Sequence, residues 1–372
     1  MAFDTIGIRS PFLDESLALA IEKECIRRQG IDLKTGEQIY SITTGSLQGS
    51  HDSRISVKVD REQWSSDGRG LSKMDTDPYV YIEASVHKAM MGHNCWGGPI
   101  DFSSSVSWMI GLVENLTEKK LPHASEWMVR RADVAECYEL DSFEACQEWF
   151  RGLNNAEYPR REVNRYGLSG LYAPGVTTCI KFYHKGPEFW KHDRKRLKKF
   201  LRESQINEIQ EKANKIIRVE VEVKAKKIEY NYGRLPKIDF VDEGFFENVH
   251  DEEVKRILRE GEKSMDIVRG MNNVENRLYE VYDESLAKVL LGSWYVLSSM
   301  GERQLKERLK RSTYYNHIKL LKEAGISWLG TDVNIKDTYI VPADFTPVRE
   351  DKRRMVEISP IVQEKIMLYK SA

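Results

Sequence analysis

The sequence predicts an α+β protein: a sheet flanked by helices, then a helical region, then a C-terminal helix-turn-helix-like module. Three observations predict it. Four segments before residue 226 alternate apolar and polar residues with a period of two. Helical segments separate them without regular βαβ spacing, which favours a mixed α+β arrangement. Beyond residue 236 helical periodicity dominates to about Leu321.

The strands come first. Pro78 precedes Tyr79 to Ser85, where Val80, Ile82 and Ala84 face one way and Tyr81, Glu83 and Ser85 the other. Met128 to Glu139 reads as a second strand, with Arg131 and Asp133 on one face. Thr177 to Lys185 puts Lys181, Tyr183 and Lys185 together, with Ile180 and Phe182 behind them. Arg218 to Ala225 sets Val219, Val221, Val223 and Ala225 against Arg218, Glu220, Glu222 and Lys224. A core under one face and chemistry on the other fits all four.

Among the helices, Ser104 to Leu116 places Val106, Ile110 and Val113 on one stripe. Asp141 with Glu144 three residues later has the form of a capped start. Pro187 is expected to open a long charged helix toward Ile217, packed through Trp190, Leu197, Phe200 and Leu201. Composition changes after Tyr232-Gly233-Arg234-Leu235-Pro236. Residues 239–253 hold seven acids and no Lys or Arg, which suits a spacer. The expected division is a domain over 1–235, an acidic and helical connecting region over 236–300, and a terminal module over 301–372.

At 372 residues with 41% hydrophobic and 31% charged residues, the chain can bury a sizeable core. Its net charge of -1 excludes a uniformly basic nucleic-acid coat and leaves room for a basic patch. It has no apolar run long enough for a membrane span, and its N-terminal stretch is charged too early for a secretory signal. Five cysteines without paired spacing read as reduced thiols, hence a cytoplasmic protein.

Four features carry possible chemistry. Glu83, Asp133 and Glu220 are carboxylates on separate strands; they are either solvated acids or oxygen donors for a hard cation such as Mg²⁺ or Mn²⁺. Tyr183 on a strand is either packing or a nucleophile, and a nucleophilic phenol needs a cation nearby because its ordinary pKa is about 10. Lys185, about 6.5–7 Å further along the same strand face, could supply it. Lys181 to Glu203 holds nine basic residues against three acids; it is either a solvated face or a track for a phosphate backbone. Finally, Gly301 to Leu309 leads through Lys310-Arg311 into Ser312 to Leu321. Leu305, Leu309, Tyr314, Ile318 and Leu321 would pack inward, leaving Tyr315, Asn316 and Lys319 outside, with Ser312 as cap and Gly325 as stop. That pattern fits a helix-turn-helix or an ordinary helical hairpin.

Taken together, these segments resemble the phage/plasmid replication protein II/X family, the rolling-circle initiators of filamentous phages and related plasmids. The resemblance is carried by Glu83 through Gly97, containing Lys88-x-x-x-Gly92-His93-Asn94, by Arg131-Ala132-Asp133, by Tyr183-His184-Lys185 and by Arg218-Val219-Glu220. The segment Ser312 to Ile326 is similar to the C-terminal module of the same group. The order and approximate spacing agree over residues 79–224.

The resemblance implies an HUH-like antiparallel sheet and a metal-dependent nickase that cuts one strand of origin DNA, keeps its 5′ end as a phosphotyrosine and religates it. Tyr183 and Lys185 would be catalytic. Glu83, Asp133 and Glu220 would hold Mg²⁺ or Mn²⁺; the His-hydrophobe-His pair of the HUH class is absent from the sequence. His93, Asn94, Arg131, Lys181, Tyr315, Asn316 and Lys319 would contact DNA, single-stranded at the nick and duplex for docking. Host helicase and polymerase are the implied partners, in a bacterial cytoplasm. A non-enzymatic origin or operator binder, and a metal nuclease that uses water instead of Tyr183, are the competing readings.

Overall fold

The computed structural model describes residues 1–31, 34–35, 38–44, 46–47, 55–66, 71–154, 158, 160–199, 201–258, 268 and 270–328. The chain starts in β1 (Ala2–Arg9) and passes through α1 (Glu15–Glu24) to a ribbon of β2 (Ile26–Ile31) and β3 (Gln38–Thr44). It continues through β4 (Ser46–Leu47), β5 (Ile55–Ser66) and the long β6 (Leu71–Ser85). Helices α2 (Val86–Met91) and α3 (Phe102–Thr117) lead to β7 (Met128–Glu139). Next come α4 (Phe143–Leu153), β8 (Asn164–Arg165), β9 (Gly170–Ala173) and β10 (Thr178–His184). Three short helices, α5 (Lys185–His192), α6 (Arg194–Leu197) and α7 (Glu203–Ala213), separate β10 from β11 (Ile216–Lys224). The remainder is helical: α8 (Ala225–Tyr232), α9 (Glu243–Leu258), α10 (Met271–Val281), α11 (Glu284–Met300), α12 (Glu302–Arg308) and α13 (Arg311–Glu323).

Nine strands form one sheet in the order β4-β5-β6-β1-β7-β11-β10-β9-β8, with every pairing antiparallel. The expected α+β class is what the chain adopts. Alternation separates the two faces. Val80 and Ile82 of β6, Ile6 and Ile8 of β1, Val134 of β7, Val219 and Val221 of β11 and Phe182 of β10 are buried in one apolar core. Residues of α3, α4 and α9 complete it. Trp149 lies near Phe182 at 5.6 Å, and Phe102 is 5.7 Å from Phe246. Emptying a site of Trp149's size would cost about 3–5 kcal/mol.

This core extends past the expected boundary at 235. Pro236 accepts a 3.0 Å bond from the Val129 amide, and Phe246, Val249 and Ile257 of α9 belong to the sheet's core. The acidic stretch is therefore no spacer. Glu253 is buried, where Tyr158 donates to it and Thr178 on β10 donates from 2.9 Å. A second core, formed by Val274, Leu278, Leu290, Trp294, Leu297, Leu305, Tyr314 and Leu321, gathers α10 to α13.

Local expectations met mixed outcomes. Val106, Ile110 and Val113 are buried as expected, but α4 is capped by Ser142, which accepts from the Ala145 amide, and not by Asp141. The single long helix after Pro187 is broken three ways. The Asp193 carboxylate turns inward, Arg202 is extended, and the chain re-enters the sheet at Ile216. Trp190 stays 59% exposed, with Arg194 over its ring at 3.9 Å. Phe200, and the part of the terminal module beyond Trp328, lie outside the described residues. α13 begins at Arg311, one residue before the expected cap Ser312, because the Tyr314 amide closes the first turn on Lys310. Gly325 does end it, at φ 67°. Among the described residues, no helix is long and apolar enough to cross a membrane.

Candidate active site

The other face of the sheet carries the polar residues, and strand register decides which of them meet. Lys181 on β10 stands between Tyr172 on β9 and Glu220 on β11. One step along, Tyr183 stands between Gly170 and Arg218. Further across, Glu222 of β11 faces Asp133 of β7. Arg131 of β7 and Glu83 of β6 flank Gly7 on β1. Glycine is required there, since a Cβ would lie 2.4 Å from the Tyr81 hydroxyl and 3.1 Å from the Arg131 Cβ. Arg131 can thus cross β1 and reach Glu83 at 3.1 Å.

Two charge systems result. In the first, Arg131 grips Asp133 with two bonds of 2.7 Å and lies 3.5 Å from Glu222, while Tyr81 donates to Glu83 at 2.6 Å. Burial pushes the Asp133 carboxyl up to about 8; Arg131 pulls against this and the Glu220 carboxylate adds to it. Lys181 connects to the second system, 2.6 Å from Glu220 and 4.0 Å from Asp133. Burial works against ionisation of Glu220, yet Lys181 and Arg218 hold its pKa below the ordinary value. The Tyr183 hydroxyl donates to Glu220 at 3.1 Å. Burial raises the phenol well above its usual pKa, while Arg218 is the strongest influence lowering it.

Beneath Tyr183 lies a buried network that the sequence reading missed. Asp4 accepts from Arg218 at 2.6 Å and from Asn94 at 2.9 Å. The register of β1 against β7 shifts between Phe3 and Thr5, so Asp4 sits in a bulge that aims its side chain at Arg218. Burial opposes the Asp4 charge, but Arg218 and the groups around it more than offset this and keep the carboxyl ionised far below the usual range. The His87 Nε2 lies 3.0 Å from the Trp96 carbonyl, so it carries the proton and leaves Nδ1 to accept from Arg218 at 3.3 Å. A polar residue breaking an apolar alternation at Phe3-Asp4-Thr5-Ile6 was the available signal for Asp4.

Several expected site residues land elsewhere. Lys185 does not continue the strand but opens α5, fully buried, donating to Asn94 at 2.5 Å and to Glu188. Its ammonium lies 5.4 Å from the Tyr183 ring centre, under the ring and tied to those partners. His93 and Asn94 are buried inside the domain and offer no surface to DNA. Burial holds the His93 ring down at about 3, so it is neutral. Arg131 and Lys181 face the polar side but are engaged by carboxylates. Tyr315, Asn316 and Lys319 are exposed on α13, while Tyr314 and His317 are buried.

Glu83, Asp133 and Glu220 have the hard oxygens a divalent ion needs, but they do not form a ready metal site. Arg131 and Lys181 already occupy the space between them, and among the described residues no three His, Cys, Asp or Glu side chains are placed to hold an ion.

Residues 2–243, which include every strand of the sheet and the side chains around Tyr183, Glu220 and Arg131 but not those of α13, match the N-terminal part of a family of phage replication-associated proteins. The chain belongs to that family. Membership gives it a role in phage replication, acting on DNA. No curated protein matches the chain. Within this replication-associated domain, Tyr183 is partly exposed, its hydroxyl donates to Glu220, and the buried Arg218 stands opposite it in register; Tyr81, which donates to Glu83 opposite the buried Arg9, is in a similar position.

Proposed function

We propose that the protein is a rolling-circle initiator of the II/X type that nicks one strand of origin DNA with Tyr183. The observation that carries this reading is the 3.1 Å bond from the Tyr183 hydroxyl to Glu220. A neutral phenol is a weak nucleophile, and an adjacent ionised carboxylate is the group that can take its proton. The Tyr183 oxygen attacks phosphorus and its proton passes to Glu220. The bond to the 3′ oxygen breaks, and that strand leaves as the 3′-hydroxyl after taking a proton from Glu220 or water. One phosphodiester replaces another, so the same steps run backward reseal the strand without ATP.

Arg218 and Lys181 favour negative charge on the phenol oxygen and on the phosphate oxygens as it builds. Asp4, Asn94 and His87 keep Arg218 in place. Mg²⁺ or Mn²⁺ is the cofactor implied by the family resemblance; this arrangement gives it no ready seat, so the steps here use side chains alone. Duplex docking falls to α13, whose Tyr315, Asn316 and Lys319 are exposed, as a major-groove helix would need.

The test uses the origin of the genome that encodes the chain, as an end-labelled single strand. A labelled adduct on a denaturing gel, with phosphate on Tyr183 by mass spectrometry, supports the reading. Free nicked product would point to attack by water, and binding without cleavage to a non-enzymatic origin binder.

A further inference from the structure

We infer that a cavity beside Tyr183 receives one unpaired nucleobase of the strand being cut. This rests on the nicking reading, because Tyr183 forms one of its walls. The cavity measures about 440 Å³, in the range of small-molecule sites, and lies between β9, β10 and the first turns of α5. Tyr166 and Tyr172 bring two aromatic side chains to its lining, and Glu188, Lys191 and His192 of α5 line it as well. Tyr166 is 59% exposed, which leaves a large ring open to a stacking partner.

Its opening toward Tyr183 depends on Gly170, the cross-strand neighbour of that residue. With no side chain on β9 at this point, one flank of the Tyr183 ring is left clear. A Cβ there would meet the Phe182 carbonyl at 3.0 Å and the Tyr183 Cβ at 3.5 Å.

The chemistry selects the occupant. Aromatic rings beside the Lys191 ammonium, with the Glu188 carboxylate on the same lining held by Lys185 and Lys88, suit a flat π-system bearing a phosphate, which describes a nucleotide in a single strand. A base pair would have to open to enter. The hydroxyls nearest the rings are already used: Ser169 donates to the Tyr166 carbonyl at 2.7 Å and Tyr172 lies against the Cys179 sulfur at 3.5 Å. The two aromatic side chains make stacking the main contact, so a missing base should cost affinity.

The full chain is tested by fluorescence anisotropy with an oligothymidylate of about twelve nucleotides and with an abasic strand of equal length. The base-bearing strand is expected to bind about tenfold or more tighter, and Tyr166→Ala to remove most of that advantage. Tyr230→Ala, which alters an exposed ring on α8 outside the cavity, should leave it intact. Oligothymidylate substituted with 5-iodouracil should photocrosslink to peptides carrying Tyr166 or Tyr172. Equal binding of the abasic strand, an unaffected Tyr166→Ala, or crosslinks confined to other segments would overturn the proposal. The Tyr183 adduct assay is read separately. An adduct with crosslinks elsewhere removes the cavity and leaves the nickase. Cavity crosslinks without an adduct keep the base site and remove Tyr183 as nucleophile.

Discussion

The Tyr183 hydroxyl points at Oε2 of Glu220 from 3.1 Å, while Lys181 holds the other oxygen of the same carboxylate at 2.6 Å. One carboxylate thus faces both a proton it can accept and a cation that keeps it ionised. In the proposed reaction Glu220 is the base toward the phenol, a role different from the metal ligand that its residue type alone suggested.

Tyr183→Phe should abolish covalent adduct formation and leave single-strand affinity nearly unchanged. The ring stays and one hydrogen bond is lost, so stability should fall by about 1 kcal/mol. The adduct gel and a binding titration on the same preparation check both halves. An adduct surviving in the variant would shift the nucleophile to another tyrosine.

Glu220→Gln keeps the shape and removes the base. Nicking should slow by about 10²–10⁴-fold. The pH profile should change as well. In the parent, Glu220 is ionised at neutral pH because its pKa is lowered, so the rate should vary little there. In the variant the phenol, whose pKa is raised, must ionise unaided, and the rate should climb with pH, about tenfold per unit. Single-turnover rates across neutral to alkaline pH decide it; a flat profile in the variant would rule out Glu220 as the base.

Much of this arrangement could be read from the chain. Strand alternation located Val80 to Ala84, Val219 to Val223 and the opposed polar residues, because one side of each strand must be apolar when it covers a core. Period alone could not reveal the bulge that turns Asp4 toward Arg218, since a bulge breaks the period it would be read from. It also carried Lys185 one step too far along the strand, where the chain instead turns into α5 and buries the ammonium against Glu188 and Asn94. The basic run after Lys181 read as either a solvated face or a phosphate-backbone track, but Asp193 draws Lys88 and Arg196 inward at 3.2 Å each. The Lys88–Asp193 pair joins residues 105 apart in the chain and leaves no local pattern.

Acid should unfold the sheet domain by discharging those buried aspartates. Burial disfavours the charge on both, yet Arg218 holds Asp4 below its ordinary pKa, and Lys88 and its neighbours hold Asp193 at about 2. A carboxylate with a depressed folded pKa contributes stability in full above its unfolded value of about 3.9 and loses it as pH falls toward the folded one. The melting temperature should therefore drop steeply below about pH 4. Asp4→Asn should soften that drop while costing about 3 kcal/mol at neutral pH, because Arg218 loses its charge partner. An acid limb unchanged in Asp4→Asn would assign the sensitivity to other groups.

Lys181→Met should expose the latent cation preference of the carboxylates. The ammonium now sits between Glu220 and Asp133, and its loss leaves the Glu220 charge without its nearest cation, at a cost of about 3 kcal/mol. A divalent ion that takes its place stabilises the folded state by mass action. Added Mn²⁺ should raise the melting temperature of the variant more than that of the parent. A response of neither protein would show that these oxygens do not take a divalent ion; a response of the parent would show that Lys181 yields to it.

Cleavage and duplex docking should separate along the chain, at a point set by packing. A fragment ending at 235 would strip Phe246, Val249 and Ile257 from the sheet's core and leave Thr178 and Tyr158 without Glu253. Losing those buried side chains would cost several kcal/mol, at about 2 kcal/mol or more each, comparable with the whole stability of a domain. A fragment of residues 1–258 keeps them and should fold, whereas 1–235 should aggregate or melt early by circular dichroism. The longer fragment retains Tyr183, Glu220 and the cavity, so it should nick single-stranded origin DNA at close to the parental rate. It lacks α13 and with it Tyr315, Asn316 and Lys319, so its preference for duplex origin over random duplex should disappear. Loss of three such side chains from a groove removes about 1–3 kcal/mol of discrimination per good base contact. Unchanged duplex preference in folded 1–258 would move docking onto the sheet domain and reduce the α12–α13 pair to an ordinary helical hairpin.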